Sequence, residues 1–467
     1  MESASPLIPY DRLKKESIIL YAKKLLNKSL GDFLDENTAV QFRGKGNFGQ
    51  LVEEQFFHYK VNSVSEPDFK EVNLELKCSP LKKLKNGEFR SKERLVLNII
   101  NYLEIVKEDF HSSSFWRKNK NLLLIFYLYE KDKSVLEYLV KLVDEWSFPP
   151  EDLEIIKKDW SNIIDKIKEG KAHELSEGDT FYLGACTKGA NSSSLREQPF
   201  SDVLAMQRAF SLKQGYVNHI IASIAGITVQ GYGKIIKHVK EVRGSTLDEL
   251  ILSKFEKYKG KNIDDIISDA GIALNPSAKG FTANLTKALL GIELTKDIEE
   301  FQKAEIIVKT VRLKENLLPK EDMSFPYFKF TDLVVEEWEN SKLNRILEHK
   351  FFLVFLNMKN GGLYFDKVIF WNMPYNDLLE VKRVWNHTVK VVKEGRIVAR
   401  ITDEQRKTNF PSKKFSSVSH VRPHARNSAD TIPLPVRDRV TGDMQYTKHS
   451  FWLNSSYIRD EIYMKAD

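Results

Sequence analysis

Asp68, Glu75 and Lys77 are residue types spaced for phosphate chemistry. From Val72 to Lys77 apolar and polar residues alternate. Val72, Leu74 and Leu76 take one face of a predicted strand, and Asn73, Glu75 and Lys77 the other. A carboxylate and an ammonium then stand two residues apart on one face, with Asp68 where the chain enters the strand. Two carboxylates offer hard oxygen ligands to a divalent cation such as Mg²⁺. Such a cation polarises a phosphate and acidifies a bound water. The lysine can orient that water and offset charge in the transition state. The same alternation also describes the solvated face of an ordinary amphipathic strand, so the surrounding elements must decide.

Those elements are readable in order. Residues near 10–35 have helical spacing of Leu13, Ile18, Ile19, Ala22, Leu25 and Leu26. A glycine-rich turn, 44–49, opens a helix through Gln50–Phe57, in which Glu53 edges a stripe of Leu51, Val52 and Phe56. No Gly-Lys-Ser/Thr follows the turn, which argues against a nucleotide-phosphate loop. Residues 116–120 precede a buried strand at Asn121–Tyr127, and a helix is expected over 153–167. Next come a strand at 180–184, a basic polar loop at 187–193, and Phe210–Lys213 leading into a helix at 216–224. Element order and type predict a mixed α/β domain with a central sheet.

The second half echoes the first in the same order. Lys158–Asn162 with Lys168–Lys171 returns as Arg383–His387 with Lys393–Arg396, and Trp160 and Trp385 recur as expected core residues. Lys120–Phe126 returns as Lys350–Phe355, Thr187–Ser192 as Pro423–Ser428, and Phe210–Lys213 as Phe451–Asn454. The expected organisation is one domain at 1–230, a basic linker at 231–245, and a second copy at 246–467. Laid over one another, Asp68 meets Glu300, Glu75 meets Ile307, and Glu53 meets Lys287. An isoleucine cannot bind Mg²⁺ and a lysine repels it, so only the front copy keeps the acidic set. That paired loss favours a site over a solvated face.

Composition sets outer bounds. The 467 residues leave room for two to four domains. A net charge of +7 hints at a polyanionic partner. Two cysteines cannot form a disulfide framework or a four-sulfur zinc site. The N-terminus lacks a basic-then-apolar signal pattern, and the longest apolar run, 122–129, is too short to span a membrane. A bacterial cytoplasmic protein with no membrane partner is expected.

With these residues assembled, the front copy resembles the MutH family, the GATC-specific nicking endonucleases of mismatch repair. The double-length chain resembles the Sau-type restriction enzymes built on the same fold. Lys45–Glu53 looks like the family's lysine-glycine turn and following helix, Asp68–Lys77 like its catalytic strand, and Thr187–Asn191 with Phe210–Lys213 like its DNA-recognition arm. The resemblance implies two tandem restriction-endonuclease-like PD-(D/E)xK domains of mixed α+β class, each with a central mixed sheet flanked by helices. It implies that Asp68, Glu75 and Glu53 ligate Mg²⁺ and that Lys77 positions the attacking water. A further lysine before the 121–127 strand is implied, Lys120 first and Lys118 close behind. Lys45 would contact phosphate; Lys188, Ser211 and Lys213 would reach base edges. In the second copy Arg422, His424 and Trp452 would meet DNA. The front arm departs from the nicking enzymes' Arg and Tyr, carrying Cys186 and Ser211 where the second copy has Arg422 and Trp452. The implied activity is Mg²⁺-dependent double-strand cleavage of DNA at GATC, leaving 5′-phosphates. One catalytic centre per chain implies a homodimer on one site, or sequential nicking. The alternatives are a nicking repair endonuclease and a non-catalytic GATC-binding regulator.

Overall fold

The computed structural model describes residues 8–34, 48–59, 66–189, 193–226, 231–276, 278, 280–401 and 406–466. Lys45 and the turn around it, and 190–192 of the basic loop, lie outside the described residues. Two compact units divide the chain: Met1–Leu247 with Thr295–Glu305, and Asp248–Leu294 with Ile306–Asp467. Among the described residues no helix is long and apolar enough to cross a membrane.

In the first unit a four-stranded sheet runs in the order Phe89–Ser91, Glu75–Lys83, Asn121–Leu128, Val140–Ser147. Glu75–Lys83 lies parallel to Asn121–Leu128, and the other neighbours are antiparallel, so the sheet is mixed. Leu122 to Phe126 are fully buried, the continuous apolar run of a strand covered on both faces. The helix Pro150–Lys168 starts with proline in its first turn, carries Glu151 and Asp152 there, and ends on Lys166 and Lys168. A smaller antiparallel sheet joins Leu95–Ile99, Arg208–Leu212 and Leu183–Thr187.

The second unit reproduces this plan. Ile307–Leu313 pairs in parallel with Phe351–Lys359, which pairs antiparallel with Gly362–Trp371. Met323–Ser324, His449–Leu453 and Ser419–Pro423 form the smaller sheet. The helix Tyr375–Lys393 has 19 residues, as does Pro150–Lys168, and Trp160 and Trp385 are both buried in it at the same turn.

Three sequence expectations change. The central strand begins at Glu75, because Lys70–Val72 makes a 3₁₀ turn and Asn73 sits at φ 52°, left-handed. The strand expected at 180–184 is instead Leu183–Thr187. The residues ahead of it are held by Asp159, which accepts N–H from Phe181, Tyr182 and Leu183 at 2.6–2.9 Å. The 231–245 stretch is packed rather than free. Tyr232–Gly233 pairs with Asp297–Ile298, and Ile235 and Ile236 are buried.

Candidate active site

Asp68 and Glu75 are tied to each other through the backbone. The Asp68 N–H donates to Glu75 Oε2 at 3.2 Å, and the Leu76 N–H donates to Asp68 Oδ2 at 3.0 Å. Leu74 and Leu76 pack into the core on the opposite face, which fixes the strand's rotation. Glu75 is 1% exposed, yet two ammonium groups converge on its Oε1. Lys77 Nζ donates at 2.6 Å and Lys118 Nζ stands at 3.5 Å. Glu53, on the π-turn Val52–Phe56 that continues the helix Phe48–Leu51, lies within electrostatic reach of Glu75, Lys77 and Lys118.

The electrostatics mark the three carboxylates as one cluster. Burial pushes Asp68 up to about 7, helped by the charges of Glu75 and Glu53 and opposed by Lys77. Burial also raises Glu53, with Lys77 and Lys118 pulling the other way and Glu75 adding to the rise. Mutually repelling, desolvated oxygen donors suit a hard divalent cation, whose charge would relieve both effects. The donors do not form a ready-made cage: among the described residues no three acids or histidines stand at metal-holding spacing, and Lys77 lies against Glu75. Desolvated carboxylates of this kind are the donor chemistry a hard divalent cation takes, although the three are not assembled around one point in this structure.

The structure sorts the other sequence candidates. Lys118, in the last turn of the helix Ser114–Asn119, reaches Glu75. Lys120, the first choice from sequence, caps that helix through its backbone N–H to Trp116 O and pairs with none of the three carboxylates. Lys188 is exposed, its N–H bonded to Gln207 O. Ser211 and Lys213 are corrected: both are buried. Ser211 lies within the small sheet opposite Gly184, and Lys213 Nζ donates inward to Thr180 O at 2.7 Å. In this arrangement neither side chain faces outward to a base edge. In the second unit Arg422 lies 3.8 Å over the Trp452 ring and 3.2 Å from Asp322 Oδ2. The His424 ring is 5.2 Å from that tryptophan, with Nδ1 at 2.6 Å from Ser450 Oγ.

Backbone geometry fixes the correspondence between the copies. Asn73 at φ 52° and Glu305 at φ 54° each stand two residues ahead of Glu75 and Ile307. Glu300, in the place of Asp68, is buried and accepts N–H from Ile235 and Ile236. Lys287, in the place of Glu53, donates to Leu294 O. Of the three acidic positions the second copy keeps one, Glu300, whose carboxylate is taken up by those amides.

The family described as DNA mismatch repair enzyme MutH matches residues 57–159, the stretch that holds Asp68, Glu75, Lys77 and Lys118. The chain is 38% identical to the type II restriction enzyme Sau3AI of Staphylococcus aureus, over 96% of this chain and 98% of that one. It is 25% identical to the DNA mismatch repair protein MutH of Shewanella woodyi, over 48% of this chain and 97% of that protein. The MutH of Serratia proteamaculans is likewise 25% identical, over 48% and 98%.

Proposed function

The chain belongs to the family of the type II restriction enzyme Sau3AI, and from that membership we propose that it hydrolyses both strands of double-stranded DNA at GATC. Mg²⁺ is the proposed cofactor and 5′-phosphate ends the proposed products. The observation that carries this reading is the convergence of Lys77 and Lys118 on a buried Glu75 beside Asp68.

That arrangement supports the roles proposed for the first unit, and the family resemblance those proposed for the DNA-facing residues. Asp68, Glu75 and Glu53 hold the cation, which when bound supplies Lewis-acid polarisation of the phosphate and an acidified water. Lys77 and Lys118 hold positive charge beside the place where phosphate charge develops. Lys77, whose ammonium already touches a carboxylate oxygen, orients the attacking water. The second unit binds DNA as an effector through Arg422, His424 and Trp452, and Lys188 contacts DNA from the first. One acidic cluster per chain makes two chains on one site, or two successive nicks, the route to a double-strand break.

Supercoiled plasmid carrying GATC tests the reading. Linear product supports restriction; accumulation of open circles without linear product supports the nicking alternative. Asp68→Ala and Glu75→Ala should each lower cleavage by at least about 10²-fold while GATC binding persists. Binding without any cleavage by the wild-type chain would favour the regulator.

A further inference from the structure

The second unit contains a cavity of about 350 Å³ along the strand that corresponds to the catalytic one. Lys309, Arg312, Lys320, Glu321 and Asp322 line it. Lys309 occupies the place of Lys77, in register with Leu353 as Lys77 is with Leu124. Its surroundings have changed sign. Ile307 replaces the carboxylate that Lys77 holds, and Glu300 is turned to the amides of Ile235 and Ile236. Ser113 and Ser341 cap equivalent helices three residues ahead of Trp116 and Asn344, so Ile346 takes the place of Lys118.

What remains is cationic. Lys309 is half-buried, and its Nζ finds Ser324 O at 3.4 Å. Burial drives its ammonium below the usual lysine range, with no carboxylate offsetting the desolvation. Arg312 is steadied by a bond to Pro276 O at 2.7 Å. Asp322 is already shared between Lys413 at 2.6 Å and Arg422 at 3.2 Å. Three cations and two carboxylates line the cavity, and one of those carboxylates, Asp322, is offset from behind by Lys413 and Arg422. A half-buried ammonium whose Nζ meets only a backbone oxygen, beside two further cations and with Asp322 already paired, has the chemistry to take an anion even with Glu321 on the same wall.

We propose that this cavity, the relic of a cation-binding active site, now holds a backbone phosphate of the DNA duplex bound by the second unit, with Lys309 at its floor and Arg312 and Lys320 at its rim. The proposal rests on the reading of the second unit as a DNA-binding module. Losing the acids while keeping the lysine converts a site that needs a metal to approach phosphate into one that meets phosphate directly.

The test uses the full chain in an Asp68→Asn background, so that DNA is bound and not cut. Sedimentation with a short labelled GATC duplex counts duplexes per chain, and titration across salt gives the slope of log affinity. The parent should bind a second duplex beyond the one on the front unit: two per chain where one chain occupies a site, three per pair where two chains share it. Lys309→Gln should weaken the second by about 10-fold and flatten its salt slope by about 1, the loss of one phosphate contact. Lys309→Arg should restore the slope. Lys309→Gln with Arg312→Gln and Lys320→Gln should leave only the front unit's duplex, and circular dichroism checks that it folds. A second duplex kept with an unchanged slope in the triple variant would overturn the cavity proposal and leave the GATC reading standing. A parent that binds only the front unit's duplex also overturns it. A parent that binds no GATC duplex removes both readings. Calorimetry with inorganic phosphate on the duplex-saturated parent separates the sources: uptake that the triple variant loses would assign the cavity to free phosphate instead.

Discussion

Glu75 is a buried carboxylate with two ammonium groups on one oxygen, and the two need not matter equally. Lys77 makes the closer contact, but it shares the strand with Glu75 and depends on it for position. Lys118 arrives from a different element, so its charge reports whether helix and strand are set together. Lys118→Gln is expected to slow single-turnover cleavage by about 10²-fold, within the range for one preorganised charge in a catalytic site. Lys120→Gln should stay near wild type, because Lys120 pairs with none of the carboxylates. Rapid-quench cleavage of a GATC duplex compares the two; equal losses would remove the special place given to Lys118. Strand alternation, a short-range property, made Glu75 and Lys77 legible in the sequence, and Asp68 stood out only by its place ahead of them. It could not rank Lys118 over Lys120, since that depends on where the preceding helix stops. Nor could it see that Lys213 turns inward to Thr180 O, a consequence of tertiary packing.

The elements repeat down to single backbone positions. Each long helix ends on a Glu-Gly pair, with Gly170 at φ 73° and Gly395 at φ 62°, the left-handed stop that favours glycine. At both places the chain crosses closely: a Cβ on Gly170 would lie 2.6 Å from Phe200 O, and one on Gly395 2.5 Å from Arg437 O. Alanine at either site meets both the left-handed penalty and a fixed carbonyl. Gly170→Ala and Gly395→Ala should therefore each destabilise their own unit by about 1–3 kcal/mol. Gly87→Ala, also at positive φ but facing open space, should cost less. Thermal melts of the three variants check the order, and a Gly87 effect equal to the others would refute the crossing argument. These glycines were part of the repeat signal in the sequence, within Lys168–Lys171 and Lys393–Arg396. The same signal did not reveal that Thr295–Glu305 belongs with the first unit. That docking includes, beside the Asp297–Ile298 pairing and the Glu300 bonds, the buried pair of Lys303 with Asp152 at 2.9 Å, two residues 151 positions apart with no local pattern to join them.

Across the whole molecule, buried titratable groups pull stability in opposite directions with pH. Burial lowers His449 to about 4, while its Nδ1 lies 2.8 Å from Thr447 O. A histidine neutral in the fold but protonated near 6.5 when unfolded contributes stability that is complete above about 6.5. That contribution is lost as pH falls toward 4. The gap is worth about 3 kcal/mol. Asp68 and Asp159, raised by burial to about 7 and about 6, act with the reverse sign. Their contribution is present at low pH and fades as pH rises through those values. The total slope of stability against pH therefore mixes terms that cancel, and a difference measurement is needed. His449→Gln removes one titration and leaves the carboxylates alone. Above pH about 6.5 the variant should be less stable than wild type by a constant margin. As pH falls to about 4 that margin should shrink by about 3 kcal/mol, because only the wild type loses stability from this source. Hydrogen exchange of the amides in His449–Leu453 reads the margin within the second unit itself. A margin that stays constant through the window would show that His449 is protonated as readily in the fold as in the unfolded chain.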